Sequence, residues 1–265
     1  MRPRTQASLA VSGNGTDWVL LNASPDLPQQ IRLHKPLHPR CGIRDSPIKS
    51  VVLTGAEIDQ IAGLLSLRER GAFTLVATSA SLNAVTANPV FGVLAPQLVL
   101  RRAVTAGEQF ELPGGLTAQL FCVPGKLPLY LEDEAAPAAS DPETNVGIEL
   151  SLGDARLIYV PGAAAVTPAM IERFARADVV FFDGTLFADD EMIRNGTGNK
   201  TGRRMGHMPI DGEGGSLALL EGIRARRIFV HINNTNPILI DDSPQRAYLE
   251  RRGWEIAEDG MEIVL

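Results

Sequence analysis

Short apolar runs separated by turn-forming residues make up the first half of the chain. Ala7 to Val11 and Trp18 to Asn22 flank Ser12-Gly13-Asn14-Gly15, a spacing that predicts a β-hairpin. Pro25 to Arg32 predicts a short helix with Ser24 as its N-cap. Leu33 to Pro47, rich in Pro, Gly and basic residues, predicts a surface loop, and its His34 and His38 are read as surface residues. Ser50 to Thr54 is a β-branched run that predicts a strand. Ile58 to Arg68 repeats apolar side chains at Ile61, Leu64, Leu65 and Leu67, the spacing of one helix face. Phe73 to Ala77, Gln97 to Leu100 and Thr117 to Val123 predict further strands.

Beyond an acidic, Ala- and Pro-rich stretch from Glu132 to Glu143, which predicts a loop, the pattern resumes. Strands are expected at Val146 to Leu152, Arg156 to Val160, Asp178 to Phe182 and Ile228 to His231. A helix is expected after Thr167 as N-cap and Pro168 as first residue, and another from Ser243-Pro244 to Arg252. Met261 to Val264 reads as a closing strand. Strands interspersed with helices point to a layered α/β or α+β fold. No repeat or composition break divides the sequence, so residues 1–265 are expected to form a single domain.

Composition adds exclusions. The formal net charge of −6 argues against a nucleic-acid surface, which needs clustered positive charge. The pairs Arg101-Arg102 and Arg226-Arg227 read as solvated faces. Cys41 and Cys122 lie far apart and in no metal-ligand spacing, which fits a reducing compartment and predicts unpaired thiols. No apolar run reaches the length of a membrane span, and the first residues carry no hydrophobic signal region, so a cytoplasmic protein without a membrane partner is expected.

Candidate chemistry gathers where strands end. Val51-Val52-Leu53-Thr54 runs into Gly55-Ala56-Glu57-Ile58-Asp59-Gln60, Phe181-Phe182 into Asp183-Gly184-Thr185, and Phe229-Val230 into His231-Ile232-Asn233-Asn234-Thr235-Asn236-Pro237. The crevice beyond strand carboxyl ends is where layered α/β proteins bind ligands. Two carboxylates and an imidazole delivered there suit iron, zinc or manganese. Singly, Asp59 reads as a helix-dipole partner, Asp183-Gly184 as a turn, and His231 as a hydrogen-bonded core histidine. Together they point to a site. The segment Gly196 to His207 adds glycines with Lys200, Arg203 and Arg204, which suit close approach to a ligand and the holding of carboxylates.

These segments resemble the PqqB family of the metallo-β-lactamase superfamily. The resemblance is carried by Arg4 to Ser8, Asn22 to Asp26 and Ala62 to Glu69 in the first half. In the second half it is carried by Val160-Pro161-Gly162, Phe182 to Thr185, Met205-Gly206-His207, His231 to Leu239 and Asp259-Gly260-Met261. It implies a metallo-β-lactamase-like αββα four-layer sandwich with a metal at one edge, lacking the family's first strand. That strand, a glycine-rich loop and a Cys-x-Cys-x-x-Cys cluster precede the matching segments in the family, so no structural zinc is expected in this chain. Against the superfamily motif HxHxDH, Gly55 and Glu57 stand at the first two histidines, Asp59 keeps the aspartate, and Gln60 stands at the last histidine.

Asp183 matches the superfamily's bridging carboxylate, His231 its final histidine, and His207 a histidine placed beside the metal. The resemblance thus implies Asp59, His207 and His231 as ligands of Fe(II), or of another divalent metal such as Mn or Zn, with Asp183 and His207 as catalytic groups. One Asp and two His have the composition of a mononuclear facial triad. The implied reaction is an iron-dependent, O2-using hydroxylation of the tyrosine-derived ring of a pyrroloquinoline quinone (PQQ) precursor, itself made from a Glu/Tyr peptide. Lys200, Arg203, Arg204, Asn233 and Asn234 are the expected contacts to that precursor. The alternative is a non-catalytic carrier involved in transport of PQQ or its precursor to the periplasm. A metal-dependent hydrolase is disfavoured by the missing histidines. A homodimer is an assembly compatible with either reading.

Overall fold

A computed structural model describes residues 3–42, 45–69, 71–132 and 141–265. Most of the expected Glu132 to Glu143 loop lies outside the described residues. The chain divides into two compact units, one of Thr5–Cys122 with Leu127–Leu152, the other of Gly153–Leu265 with Val123–Lys126 and the chain start to Arg4.

In the first unit β1 (Leu9–Val11) and β2 (Trp18–Leu21) form the expected hairpin, with Leu9 opposite Leu21. Asn14 Oδ1 accepts the backbone N–H groups of Thr16 and Asp17, each at 2.9 Å, which closes the turn. Helix α1 (Leu27–Leu33) follows, but its N-cap is Asp26 without a side-chain bond. The local pattern points to Ser24 for that role. Its hydroxyl instead donates to Gln30 Oε1 at 3.0 Å, and Ser24 is buried. The Leu33 to Pro47 stretch is not wholly surface. A 3-10 turn at Lys35–Leu37 buries Leu37, and His34 and His38 beside it are half-buried.

Strand β3 (Ile48–Val52) leads to α2 (Ile58–Ile61), a single turn that passes into a 3-10 segment, Ala62–Leu67. The long helix implied by Ile58 to Arg68 is therefore interrupted. A close backbone approach accounts for it: a Cβ on Gly63 would collide with the Ser24 carbonyl oxygen, and Gly63 N–H donates to Ala23 O at 2.9 Å. Next come β4 (Phe73–Ala77), α3 (Ser79–Ala87) and β5 (Val99–Ala103). Helix α3, capped by Thr78, carries mostly small and polar residues, and its apolar pattern is too weak to announce it. The sheet order is β1-β2-β3-β4-β5, parallel from β2 onward. Leu20, Val51, Leu53, Leu64, Leu75 and Val85 pack in its core, each burial of a large aliphatic side chain contributing about 1.5–3 kcal/mol.

The same unit holds an antiparallel meander of β6 (Gln109–Leu112), β7 (Leu116–Cys122) and β8 (Val146–Leu152). Arg101 donates to Thr86 Oγ1, and Arg102 lies over the Phe110 ring, so the first arginine pair is spent on surface packing. Cys41 and Cys122 are exposed and unpaired.

The second unit is built on parallel strands in the order β9 (Ala155–Val160), β10 (Val179–Asp183), β11 (Arg226–Val230) and β12 (Trp254–Ile256). Every residue of β10 is buried, as expected of a parallel strand covered on both faces. Helices α4 (Pro168–Phe174), α5 (Glu191–Arg194), α6 (Ser216–Leu219) and α7 (Pro244–Arg251) complete it. Thr167 and Ser243 cap α4 and α7 through Met170 N and Arg246 N, as the sequence indicates. The expected closing strand at Met261 to Val264 does not form, and Val264 is exposed. The edge position belongs to β12, where Trp254 stacks on Phe229 at 3.9 Å between ring centroids. Arg226 pairs with Glu255 and Arg227 lies over Trp254. Among the described residues no helix is long and apolar enough to cross a membrane.

Candidate metal centre

The register of the parallel strands sets the site. Val160 pairs with Phe182, and Asp183 with Val230, so β9, β10 and β11 end together. Three polar turns follow: Pro161-Gly162-Ala163, Asp183-Gly184-Thr185 and the loop from His231. Gly184 N–H donates to Val230 O and Asn233 N–H to Thr185 O, which ties the last two turns side by side. His231 has a φ of 54°, a left-handed conformation unusual for a residue with a Cβ. Asn236 ties the end of this loop to the Asp183 turn: its buried amide donates to Gly184 O at 2.9 Å while its Oδ1 caps Ile238 N.

His207 arrives from the glycine-rich segment. The preceding Gly206 has a φ of 87°, and a Cβ there would meet Lys126 Cγ at 2.9 Å, so the turn requires glycine. Met208 N–H then donates to Ala163 O at 2.7 Å, pinning the histidine to the end of β9. The result is a cluster of Asp183, His207 and His231, each offering one ligand atom, with those atoms within 4.8 Å of one another. The two imidazoles are stacked, with centroids 5.1 Å apart.

Asp183 is fully buried and accepts four hydrogen bonds. Oδ1 takes Thr185 N–H (3.0 Å) and Thr185 O–H (2.6 Å); Oδ2 takes Ala163 N–H (2.9 Å) and His207 Nδ1 (2.8 Å). Burial pushes its carboxyl pKa up, but the charges of His207 and His231 and the bonds from His207 and Thr185 outweigh it. The net effect holds the group below the ordinary carboxylate value.

Thr185 Oγ1 also lies 2.7 Å from His231 Nδ1, 3.0 Å from His207 Nδ1 and 3.0 Å from His231 O. A hydroxyl has one proton. The carboxylate oxygen is the nearest and the charged acceptor, so the proton goes to Asp183. His231 Nδ1 must then donate to Thr185, which places the neutral ring's lone pair on Nε2. Histidines that ligate metals commonly have the other ring nitrogen held in this way.

The chemistry of the donor set tests whether a metal fits here. One anionic, desolvated carboxylate and two partly exposed imidazoles suit a divalent cation of borderline hardness. The three residues therefore form a candidate divalent-metal site. It is drawn wholly from the second unit. Asp59, expected from the sequence as a ligand, lies in the first turn of α2 in the other unit. Gln60, at the position of the motif's last histidine, serves the local fold instead, because its Oε1 accepts Glu57 N–H at 3.1 Å at the start of α2.

Of the expected substrate contacts, Arg203 is exposed but anchored, its guanidinium donating to Glu213 O at 3.0 Å and Gly214 O at 3.4 Å. Arg204 is exposed and Lys200 half-buried. Asn234 is exposed, whereas the Asn233 amide donates to Thr235 Oγ1 at 2.8 Å. Residue patterns did not assign roles to Thr185, Glu191, Thr235 or Asn236. The Asp-x-Thr spacing was a usable signal for Thr185, since a side chain two residues beyond a strand-end carboxylate turns back onto it. Glu191 carries no such signal, because an acidic residue opening a helix is commonplace.

Comparison with known proteins identifies the family and the fold. The Beta-lactamase superfamily domain model matches residues 17–232. The chain is 55% identical to coenzyme PQQ synthesis protein B of Rhizobium meliloti (strain 1021), over 100% of this chain and 87% of the relative. It is 51% identical to the protein of that name from Methylorubrum extorquens (strain PA1), over 100% of this chain and 89% of the relative. The crystal structure of Zn(2+)-bound PqqB from Methylobacterium extorquens superimposes with a TM-score of 0.96 at 52% identity, covering 100% of this chain and 89% of that one. The fold is the metallo-β-lactamase fold, mixed α/β with two sheets, as the resemblance implied. On full-length identity of this order, the chain belongs to the coenzyme PQQ synthesis protein B family of the beta-lactamase superfamily.

Proposed function

We propose that this protein acts in PQQ biosynthesis, as a metal-dependent hydroxylase of the tyrosine-derived ring of a precursor. The observation that carries the reading is the convergence of Asp183, His207 and His231 at the shared end of β9, β10 and β11. The relatives are named for PQQ synthesis, and one of them was crystallised with zinc. Fe(II) is the metal proposed for turnover. When bound, a redox-active metal supplies the one-electron steps that let triplet oxygen react with a closed-shell ring.

The chain's own residues would hold and orient. Asp183, His207 and His231 would hold the cation, and Thr185 keeps the His231 ring turned by holding its Nδ1 proton. Lys200, Arg203 and Arg204 place positive charge on the glycine-rich segment, suited to a precursor bearing carboxylates. In the overall reaction an aromatic C–H becomes C–OH with one atom of O2. The other atom leaves as water, with two protons and two electrons from an external reductant.

The test is anaerobic Fe(II) titration by calorimetry, followed by oxygen uptake with a precursor analogue and ascorbate. Parent protein is expected to bind about one Fe(II) and consume oxygen, and His231→Ala to do neither. Equal, weak Fe(II) binding in both proteins, with the analogue still bound, would favour the carrier.

A further inference from the structure

Packed on the loop from His231, a buried carboxylate has no part in the proposed chemistry. Glu191, at the first position of α5, is 6% exposed. Its Oε2 accepts Phe187 N–H at 2.8 Å, and its Oε1 accepts the Thr235 hydroxyl at 2.6 Å. Thr235 Oγ1 in turn lies 2.8 Å from Asn233 Nδ2, which also rests 3.1 Å from Met192 Sδ. The direction of this chain follows from counting protons. A carboxylate only accepts, so the single Thr235 proton goes to Glu191. Thr235 can then only accept from Asn233, which fixes the amide with its NH2 inward. The reverse flip would set Asn233 Oδ1 against Thr235 Oγ1 with no proton between them.

We propose that Glu191 and Thr235 form a one-way hydrogen-bond relay that holds the Asn233 carbonyl oxygen outward, as an acceptor for an O–H or N–H group of the substrate. Asn233 stands two residues from His231, and its own N–H is tied to Thr185 O, so the acceptor is fixed relative to the metal cluster. A fixed acceptor selects strongly, because a ligand lacking the matching donor leaves it desolvated and unpaired. Glu191 and Thr235 are positioning residues, and Asn233 is the contact. The proposal rests on the reading that the loop from His231 borders the substrate.

Glu191→Gln should invert the relay. Its Oε1 must stay on Phe187 N–H, so its NH2 faces Thr235. The Thr235 proton then turns to Asn233, whose amide flips and presents NH2 outward. In metal-free protein, hydrogen exchange of the Asn233 side-chain amide by NMR should be at least about tenfold faster in Glu191→Gln than in the parent. Equal exchange rates would overturn the proposal.

A second arm uses Zn(II)-loaded protein and two probes, the dipeptides Glu–Tyr and Glu–Phe, which differ by one phenolic hydroxyl. By calorimetry the parent and Thr235→Ser should prefer Glu–Tyr. That preference should fall by about tenfold in Glu191→Gln and Asn233→Ala, with Zn(II) affinity unchanged. An unchanged preference in both variants would also overturn it. Loss of Zn(II) binding by the parent itself would sink the metal reading, while the exchange arm would still decide the relay.

Discussion

The Thr185 hydroxyl shows how much one proton can organise. It satisfies a fully buried carboxylate and accepts from His231 Nδ1, so two of the three candidate ligands depend on it. Thr185→Val keeps the shape and removes the hydroxyl, leaving Asp183 Oδ1 and His231 Nδ1 each short of a partner. A stability loss of about 1–3 kcal/mol is expected in urea unfolding. Zn(II) affinity should fall about 10- to 100-fold by calorimetry, with Thr185→Ser close to the parent. Identical affinities for parent and Thr185→Val would show that the hydroxyl does not orient the ring. Asp183, His207 and His231 could be picked out from the sequence because each carries a ligand atom and two follow an apolar run. Thr185 is signalled only by its spacing from Asp183, and Glu191 and Asn236 not at all, since their importance lies in which proton goes to which atom, and that is settled only when distant segments meet.

At the scale of elements, local pattern succeeded where capping chemistry and burial agreed and failed where a tertiary contact intervened. Thr167-Pro168 and Ser243-Pro244 announce α4 and α7 because cap and first-turn proline act within a few residues. The stretch from Ile58 to Arg68 has helical spacing throughout, yet it breaks after one turn because Gly63 must lie against Ser24. Nothing in the local pattern encodes that contact. Gly63→Ala should therefore destabilise strongly although alanine is the better helix former. Its Cβ has no room beside Ser24 O, and a loss of about 1–3 kcal/mol or more is expected in urea unfolding. A stabilised Gly63→Ala would mean that the backbone approach is not a constraint. Gln60 makes the complementary case. The family motif invites Gln60→His, but that change removes the acceptor for Glu57 N–H. A melting temperature lower by about 2–4 °C is expected, the shift that about 1 kcal/mol of lost capping produces in a chain of this size. Gln60→Glu, which keeps the acceptor, should melt near the parent.

For the whole molecule, the buried charge at Asp183 couples stability to pH and to metal. Its carboxyl pKa is below the ordinary value because the opposing charges and hydrogen bonds outweigh burial. A depressed folded-state pKa means that the unfolded chain binds the proton more tightly. The stabilisation is therefore present in full above the unfolded value of about 3.9 and is lost as pH falls through the lower folded value. In metal-free protein kept in chelator, the urea midpoint should fall steeply below about pH 4 in the parent. In Asp183→Asn the midpoint should start lower and fall less, so that the two curves converge in acid. Curves that stay parallel down to about pH 3 would remove Asp183 from the acid limb. Added Zn(II) should raise the parent's midpoint at about pH 7 by an amount that grows with the logarithm of free metal, as binding to the native state alone requires. His231→Ala should lose that increment and show an acid limb between those of the parent and Asp183→Asn, because it takes away a ligand and one charge that lowers the Asp183 pKa but leaves the four hydrogen bonds on Asp183 in place. Separating the two variants in this way shows whether the carboxylate holds the fold, the cation, or both.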